Sequence, residues 1–391
     1  MMLRIKDYTT KVGSGVTPRG GAETYLDEGI PLFRSQNVTN DGFLLDDIAF
    51  ISEEVDESMK GTRVKPGDVL LNITGASIGR CYYTADDFER GNVNQHVCII
   101  RPKKNKVKSE YLHYCIISDI GQQQIDLTQT GANREGLAVE DIKGFSFDIP
   151  SLSEQERVVE YLDEKLAMIN KRIIVLEKQQ DAYVRLKKSI IHQAVTRGLD
   201  PNVSLKDSGT EWIGMIPEHW RSLHLKHCVT INNGCDYKHL ETESGIPVIG
   251  SGGQFAFVSE AMYTGEALLL GRKGTIDKPM YFNGPFWTVD TMYYAIANKN
   301  VNTKYIYYCA TIFPFNKIST ATALPSMTQT DLYQLPVMLP PLPEQQAIAN
   351  YLDEKCAKID AAIENIGKQI GASKRLKRAL INEVITGQRA V

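Results

Sequence analysis

Apolar residues recur at alternating three- and four-residue spacing in two stretches of the chain. One holds Leu162, Leu166, Ile169, Ile173, Leu176, Tyr183 and Ile190; the other holds Leu352, Cys356, Ile359, Ile363, Ile366, Ile370 and Leu380. This is a heptad seam, and it predicts two long helices. Ser153 with Glu156 spells a capping box, Pro343 occupies a first-turn position, and Gly198 and Gly387 follow the last periodic residues as stop signals. At 1.5 Å per residue each helix spans about 60 Å, more than one globular core needs, so its stripe must bury against another long helix. Each helix is the other's obvious partner, with parallel and antiparallel pairing both open. Gln180, Lys187 and Lys377 interrupt the seam, as tolerated polar positions or as register selectors. Gly367 and Gly371 weaken the second helix and suggest close approach of another backbone.

The two helices are copies of one another. Pro150 to Asn170 aligns without gaps on Pro340 to Asp360 with eleven of twenty-one positions identical, and the same shift carries Arg185-Leu186-Lys187 onto Arg375-Leu376-Lys377. Before each helix lies a stretch of short β-branched and aromatic runs separated by Gly, Pro and Asn, which predicts a mixed domain. These domains are distant copies: residues 65–71 resemble 263–269, and YLHYC at 111–115 resembles YIYYC at 305–309. The expected fold class is therefore α+β, with a pseudo-two-fold internal duplication. Its boundaries are a first domain over 1–150, a helix over 151–200, a second domain over 201–340 and a helix over 341–391. The domains have diverged more than the helices, as a scaffold carrying two different readers would.

Composition narrows the partners only slightly. The net charge is −3 over 391 residues, and no segment is a basic polyelectrolyte, so any nucleic-acid affinity must come from a small positive face and from partner subunits. No run approaches the roughly 18 apolar residues of a membrane span, and Met-Met-Leu-Arg opens no signal peptide, so a soluble, cytoplasmic protein is expected. The seven cysteines are scattered, without a CxxC pair, and reduced thiols are the expected state. His224, His227 and Cys228 lie close together, but no second ligand pair follows at zinc spacing, and no metal site is expected.

Motifs for chemistry are missing from the sequence. It has no GxxxxGK[ST], GxGxxG or HExxH, and no NPPF or DPPY tetrapeptide. Gly271 to Thr275 resembles a phosphate loop with the wrong glycine spacing. Asp163-Glu164-Lys165 and Asp353-Glu354-Lys355 fall on helix faces beside the seam. The polar loops are more informative, because Asn, Gln and Arg can read adenine and guanine edges bidentately and Gly lets backbone N–H groups approach phosphates. The candidates in the first domain are Arg19, Arg34, Ser35, Gln36, Asn37, Asn72, Thr74, Ser77, Arg80, Asn94, Gln95, His96, Asn133 and Arg134. Those in the second are Ser251, Gln254, Arg272, Lys273, Thr275 and Thr322, with Asp290 and Thr291 nearby. Asn, Gly and Ser are also ordinary turn formers, so each residue alone has that simpler reading. Arg101 to Lys108 carries five basic residues and reads as a solvated turn.

PSLSEQERVVEYLDEK and PPLPEQQAIANYLDEK, together with DSGTEWIGMIPEHW at 207–220, resemble the hallmark segments of specificity subunits of type I restriction-modification systems. The resemblance covers essentially the whole chain. It implies two target-recognition domains, each reading half of a bipartite, asymmetric double-stranded DNA target. It also implies that the helices pack as an antiparallel coiled coil, set the gap between half-sites and dock methyltransferase subunits. Two modification and two restriction subunits would assemble around one such non-catalytic chain. S-adenosylmethionine would belong to the former, and ATP with magnesium to the latter, with no cofactor in this chain. One departure concerns the lead-in: Leu3 to Tyr8 matches Leu223 to Cys228, but no copy of EWIGMIPEHW precedes it. Two other classes share part of the pattern. A coiled-coil scaffold binding proteins would have the seam but no reason for matched polar loops, and a self-contained nuclease or methyltransferase would need a catalytic motif.

Overall fold

A computed structural model describes residues 2–129, 136–319 and 325–391. The chain forms two compact units: Met1–Val175 with Gln369–Val391, and Leu176–Lys368. Each unit thus combines a mixed α+β domain with one stretch from each long helix.

In the first unit a four-stranded antiparallel sheet runs in the order Thr9–Ser14, Val97–Pro102, Val69–Asn72, Cys81–Tyr83. Its central strands read as unbroken apolar runs because both faces are covered. Val69, Leu71, Cys98 and Ile100 pack toward Ser109–Ile117 and the long helices, while Leu70, Val97 and Ile99 pack toward Phe33, Val38 and Val93. Those last residues belong to or adjoin a small three-stranded sheet ordered Ala49–Ile51, Ile30–Phe33, Asn92–Val93. The second unit is built on a seven-stranded sheet centred on Tyr263–Gly271 and Met280–Thr288. The same alternation recurs: Leu268 and Leu270 join the helix-facing core, and Ala267 and Leu269 the opposite one.

The long helices span Leu152–Arg197 and Leu342–Ile385. In the first unit Leu162 and Leu166 share a core with Leu380, Ile381 and Val384, and Lys377 Nζ donates to Asn170 Oδ1 at 3.0 Å. In the second, Gln180 Nε2 donates to the Ile363 carbonyl at 3.3 Å, Lys187 Nζ meets Asp360 at 2.6 Å, and Ile191 joins Cys356 and Leu352. Partner numbers fall as those of the first helix rise, so within each unit the two stretches run antiparallel. All three polar seam residues have a partner on the facing helix.

Several local expectations need correction. The capping box at the first helix is Ser151 with Glu154, two residues earlier than expected: Ser151 N–H donates to Glu154 Oε2 at 3.0 Å, and Ser151 Oγ receives the Glu154 N–H at 3.4 Å. The chain turns helical as soon as Pro150 is passed, so Ser153 already lies inside the first turn. A Cβ on Gly367 would meet the Gln180 side-chain amide at 3.4 Å and one on Gly371 the Arg375 guanidinium at 3.5 Å, with no backbone of the facing helix within 4 Å of either. These glycines make room for polar side chains. Ile169, Tyr183, Ile190 and Ile363 are only half-buried, and Ile191, Ala194, Val195, Ile348, Ile381 and Val384, absent from the predicted seam, are buried. Near its ends each helix faces a domain as well as its helical partner, so the buried arc widens beyond two positions per heptad.

Candidate nucleic-acid interface

Three polar loops of the first unit converge. Asn72, fully buried, donates from Nδ2 to the carbonyls of Ser35 at 2.7 Å and Val38 at 3.2 Å, tying the loop after Asn72 to the loop at 34–37. The third loop joins through the Asn94 N–H, which donates to the Phe33 carbonyl at 3.2 Å. A close approach fixes that third loop: a Cβ on Gly15 would lie 2.1 Å from the Val93 carbonyl oxygen. Gly234 in the second unit stands 2.1 Å from the Val289 carbonyl by the same measure.

Within this convergence Asn37 accepts the Arg34 N–H at 3.0 Å and donates to the Leu44 carbonyl at 2.9 Å. Asn94 Oδ1 accepts the His96 N–H at 3.1 Å. The buried amides of Asn37, Asn72 and Asn94 therefore brace the loops from inside, the turn-forming role. Arg34 is held by the Asp47 carbonyl at 2.6 Å and stacks over the Tyr25 ring, and Gln36 bonds Asp47. Thr74 Oγ1 lies 2.6 Å from His96 Nδ1, His96 Nε2 lies 2.9 Å from Gln95 Nε2, and Gln95 accepts from Thr17. That relay lines up Thr74, His96 and Gln95 beside the short turn Gly75–Ser77. Arg19 and Arg80 are exposed and Ser35 and Ser77 half-buried. Asn133 and Arg134 lie outside the described residues.

The second unit places its candidates on the same scaffold. Thr74 bridges to Gly136, with the Leu137 N–H donating to the Ile73 carbonyl at 2.8 Å. Lys273 bridges to Ser326, with the Met327 N–H donating to the Arg272 carbonyl at 3.0 Å. Ser251 Oγ would stand 3.4 Å from a Cβ on Gly274, so the turn at Ser251 adjoins the Arg272 to Thr275 loop. The Arg272 guanidinium donates to the Asp290 carbonyl at 3.2 Å and lies over the Tyr293 ring. Gln254 and Lys273 are exposed, Thr275 is half-buried, and Thr322 lies outside the described residues.

Other basic residues have structural work. Arg101 forms a two-pronged pair with the buried Asp68 at 2.7 Å, Lys104 pairs with Asp86 and Lys108 with Glu156. Asp56, also fully buried, receives Arg63, Arg90 and Asn92; burial pushes its carboxyl up, but these donors outweigh it and hold the pKa below the usual carboxylate value. Burial lowers the His113 imidazole to about 3 and raises the Cys98 thiol to about 12 and the Cys228 thiol to about 11. His224 Nδ1 lies 2.8 Å from the Gln334 carbonyl.

The sequence reading missed the residues that join domain to helix. Gln155 and Gln345, both fully buried, each span a helix start and a domain loop. Gln155 accepts the Lys108 N–H at 2.8 Å and donates to the Lys106 carbonyl at 3.0 Å, while Gln345 accepts the Asn302 N–H at 2.8 Å and donates to the Asn300 carbonyl at 3.3 Å. Tyr114 bonds Asp163, and Tyr308 bonds Asp353 at 2.8 Å. The available signal was identity between copies in a polar helix face, where solvation alone would demand none.

Polar loops are thus repeated on two mixed domains, each seated on a stretch of both long helices. The family model for the type I restriction modification DNA specificity domain matches residues 2–178 and 217–370. The chain belongs to that family, and is a non-catalytic, DNA-recognising specificity subunit. It is 22% identical to the type I restriction enzyme EcoKI specificity subunit of Escherichia coli K12, over 98% of this chain and 88% of the relative. It is likewise 22% identical to the StySPI specificity subunit of Salmonella potsdam, over the same shares. A solved chain from a study of assembly and conformational transition of the type I R-M system superposes with a TM-score of 0.75 at 15% identity, covering 98% of this chain and 97% of that one. The HsdS subunit of Thermoanaerobacter tengcongensis gives 0.51 at 15% identity, covering 100% and 97%. At these identities the structural likeness speaks for the fold. Among the described residues, no helix is long and apolar enough to cross a membrane.

Proposed function

We propose that this chain, in the cytoplasm, reads a bipartite, asymmetric DNA target, one half through each unit, and that the internally duplicated helices form one antiparallel coiled coil that sets the gap. The single observation that carries this reading is the repeated loop placement: Thr74 bridged to Gly136 and Lys273 bridged to Ser326 put polar glycine loops at corresponding sites of both units. Arg19, Arg80, Gln95, Gln254 and Lys273 have exposed side chains to offer, with Ser35, Gln36, Thr74, Ser77, His96, Ser251 and Thr275 beside them. Arg34 and Arg272 are oriented by backbone carbonyls, as arginines preorganised for phosphates or guanine edges would be. Asn37, Asn72 and Asn94 hold the loops in shape, and Asn133, Arg134 and Thr322 remain candidates on sequence grounds. Each good bidentate contact discriminates by about 1–3 kcal/mol, so a few per unit suffice without high affinity for the isolated chain.

The helices would dock two modification subunits, and two restriction subunits would join them. S-adenosylmethionine would reside in the former and ATP with magnesium in the latter. The name of the E. coli relative, a specificity subunit of a restriction enzyme, and the assembly theme of the superposed structure support this arrangement. The test is co-purification with the candidate modification subunit, followed by mapping of methylated adenines in genomic DNA. A two-part motif with a fixed gap is expected. Exchange of residues 1–150 for another first domain should change one half-site only; a change in both would overturn the division of labour.

A further inference from the structure

Of the phenylalanines, tyrosines and tryptophans among the described residues, Phe255 alone stands exposed, at 55%. It belongs to the hairpin of the second unit formed by Ile246–Gly250 and Gly253–Val258. Along this hairpin Gly250 pairs with Gly253, Ile249 with Gln254 and Val248 with Ala256. Phe255 is therefore an extra residue without a partner across the ladder, a β-bulge beside the turn. In a regular strand Gln254 and Phe255 would point to opposite faces. The bulge re-aims the chain between them, and both side chains are exposed.

The ring is held in place. It meets the Tyr237 ring edge-on, with 5.4 Å between centroids. A Cβ on Gly250 would lie 3.1 Å from Phe255 Cε1, so the glycine across the hairpin lets the ring lie down on the strand. Trp287 Nε1 donates to the Cys235 carbonyl at 3.0 Å, which fixes the segment carrying Tyr237. One side of the ring thus rests on protein, and the rest faces solvent beside the Gln254 amide. The turn at Ser251, which ends this hairpin, adjoins the Arg272 to Thr275 loop, because a Cβ on Gly274 would stand 3.4 Å from Ser251 Oγ. A single exposed apolar residue needs no explanation by itself. Here a bulge, a glycine and a second ring together keep an aromatic side chain at the edge of a polar loop cluster.

We propose that Phe255 reads the 5-methyl group of a thymine in the half-site of the second unit, with Gln254 beside it for an adenine edge. The inference rests on the DNA reading proposed above and names a base that this unit selects. Thymine alone among the four bases presents an apolar group in the major groove, and phenylalanine is one of the side chains that meet it, while glutamine bonds adenine N6 and N7. Insertion of the ring between base pairs is the poorer account. A wedge needs both ring faces free, and Gly250 and Tyr237 already take part of this ring's surface.

The probes are duplexes carrying the motif methylated by the chain assembled with its modification subunit. Each thymine of the second unit's half-site, the half left unchanged by exchange of residues 1–150, is replaced singly by deoxyuridine, which lacks only the methyl group. At one position deoxyuridine should weaken binding about fourfold, the worth of one buried methyl-sized group. Phe255→Ala should weaken the thymine duplex by at least that much and abolish the distinction from deoxyuridine, and Phe255→Leu should retain it. The deoxyuridine comparison needs no variant, so it stands even if Phe255→Ala disturbs the hairpin. Tolerance of deoxyuridine at every position, or a half-site without thymine, overturns the thymine contact while leaving the two-part reading intact. A distinction that survives Phe255→Ala overturns the assignment to this residue. Loss of assembly with the modification subunit at unchanged DNA discrimination would make Phe255 a protein contact instead. Absence of any two-part motif would overturn the DNA reading itself, and this inference with it.

Discussion

The two units grip the helix pair alike and differ at its edges. In each, a buried glutamine pins a domain loop to a helix start and a tyrosine reaches a helix aspartate. The seam lysines diverge: Lys187 is taken up by Asp360, whereas its counterpart Lys377 meets Asn170 and also Asp41, from the turn between two strands of the first domain. The grip repeats because both domains must seat on copies of one helix. The loops vary because nothing in that seating constrains them. Buried charge follows the same division: the first unit centres Arg63 and Arg90 on the buried Asp56, through residues of its domain alone.

The largest expected effect breaks that network. Asp56→Ala takes the shared carboxylate from Arg63, Arg90 and the buried Asn92; Arg63 keeps Glu57, Arg90 keeps Glu53 and Asn92 keeps the Met59 carbonyl, so the loss is about 3 kcal/mol, the upper end for stranding buried hydrogen-bonding groups. All three tryptophans lie in the second unit, so tryptophan fluorescence should report a nearly unchanged transition there while far-UV dichroism gains an early one.

Acid should separate the units next. Burial holds the His113 imidazole near 3, whereas an unfolded histidine titrates at about 6.5. The unfolded state therefore takes up the proton first, and stability present above pH 6.5 is lost progressively as pH falls toward 3, at up to about 1.4 kcal/mol per pH unit. At pH 4.5 the first unit should be weaker by roughly 2–3 kcal/mol from this group, and His113→Phe should flatten the dependence in denaturant melts. Tyr307 takes the equivalent place in the second unit, which lacks that histidine.

Gln155→Ala and Gln345→Ala sharpen the likeness. Each strands buried backbone groups, at about 1–3 kcal/mol, and the two costs should agree closely in urea unfolding because the bonds lost correspond. Smallest is Lys187→Met: its partner Asp360 is half exposed, so the stability change should stay within about 1 kcal/mol. If the helices act as a ruler, inserting one or two turns near Gln180 and Ile370 should instead lengthen the gap in the methylated motif.

The sequence by itself determined the two long helices, their copied character and the α+β domains, because heptad spacing, capping glycines and repeated identity are local in the chain. It also determined the family, through segments whose residues are adjacent in sequence. Only the tertiary structure decided which polar loop residues are free. Asn72 and Asn37 look as suited to reading bases as Arg80 or Gln254, and differ only in that carbonyls from other loops have claimed their amides. Likewise Gln155 reads as a solvated helix residue until the loop at Lys106 closes over it. A hydrogen-bonding group carries the same donors wherever it stands, and long-range packing decides whether protein or solvent meets them.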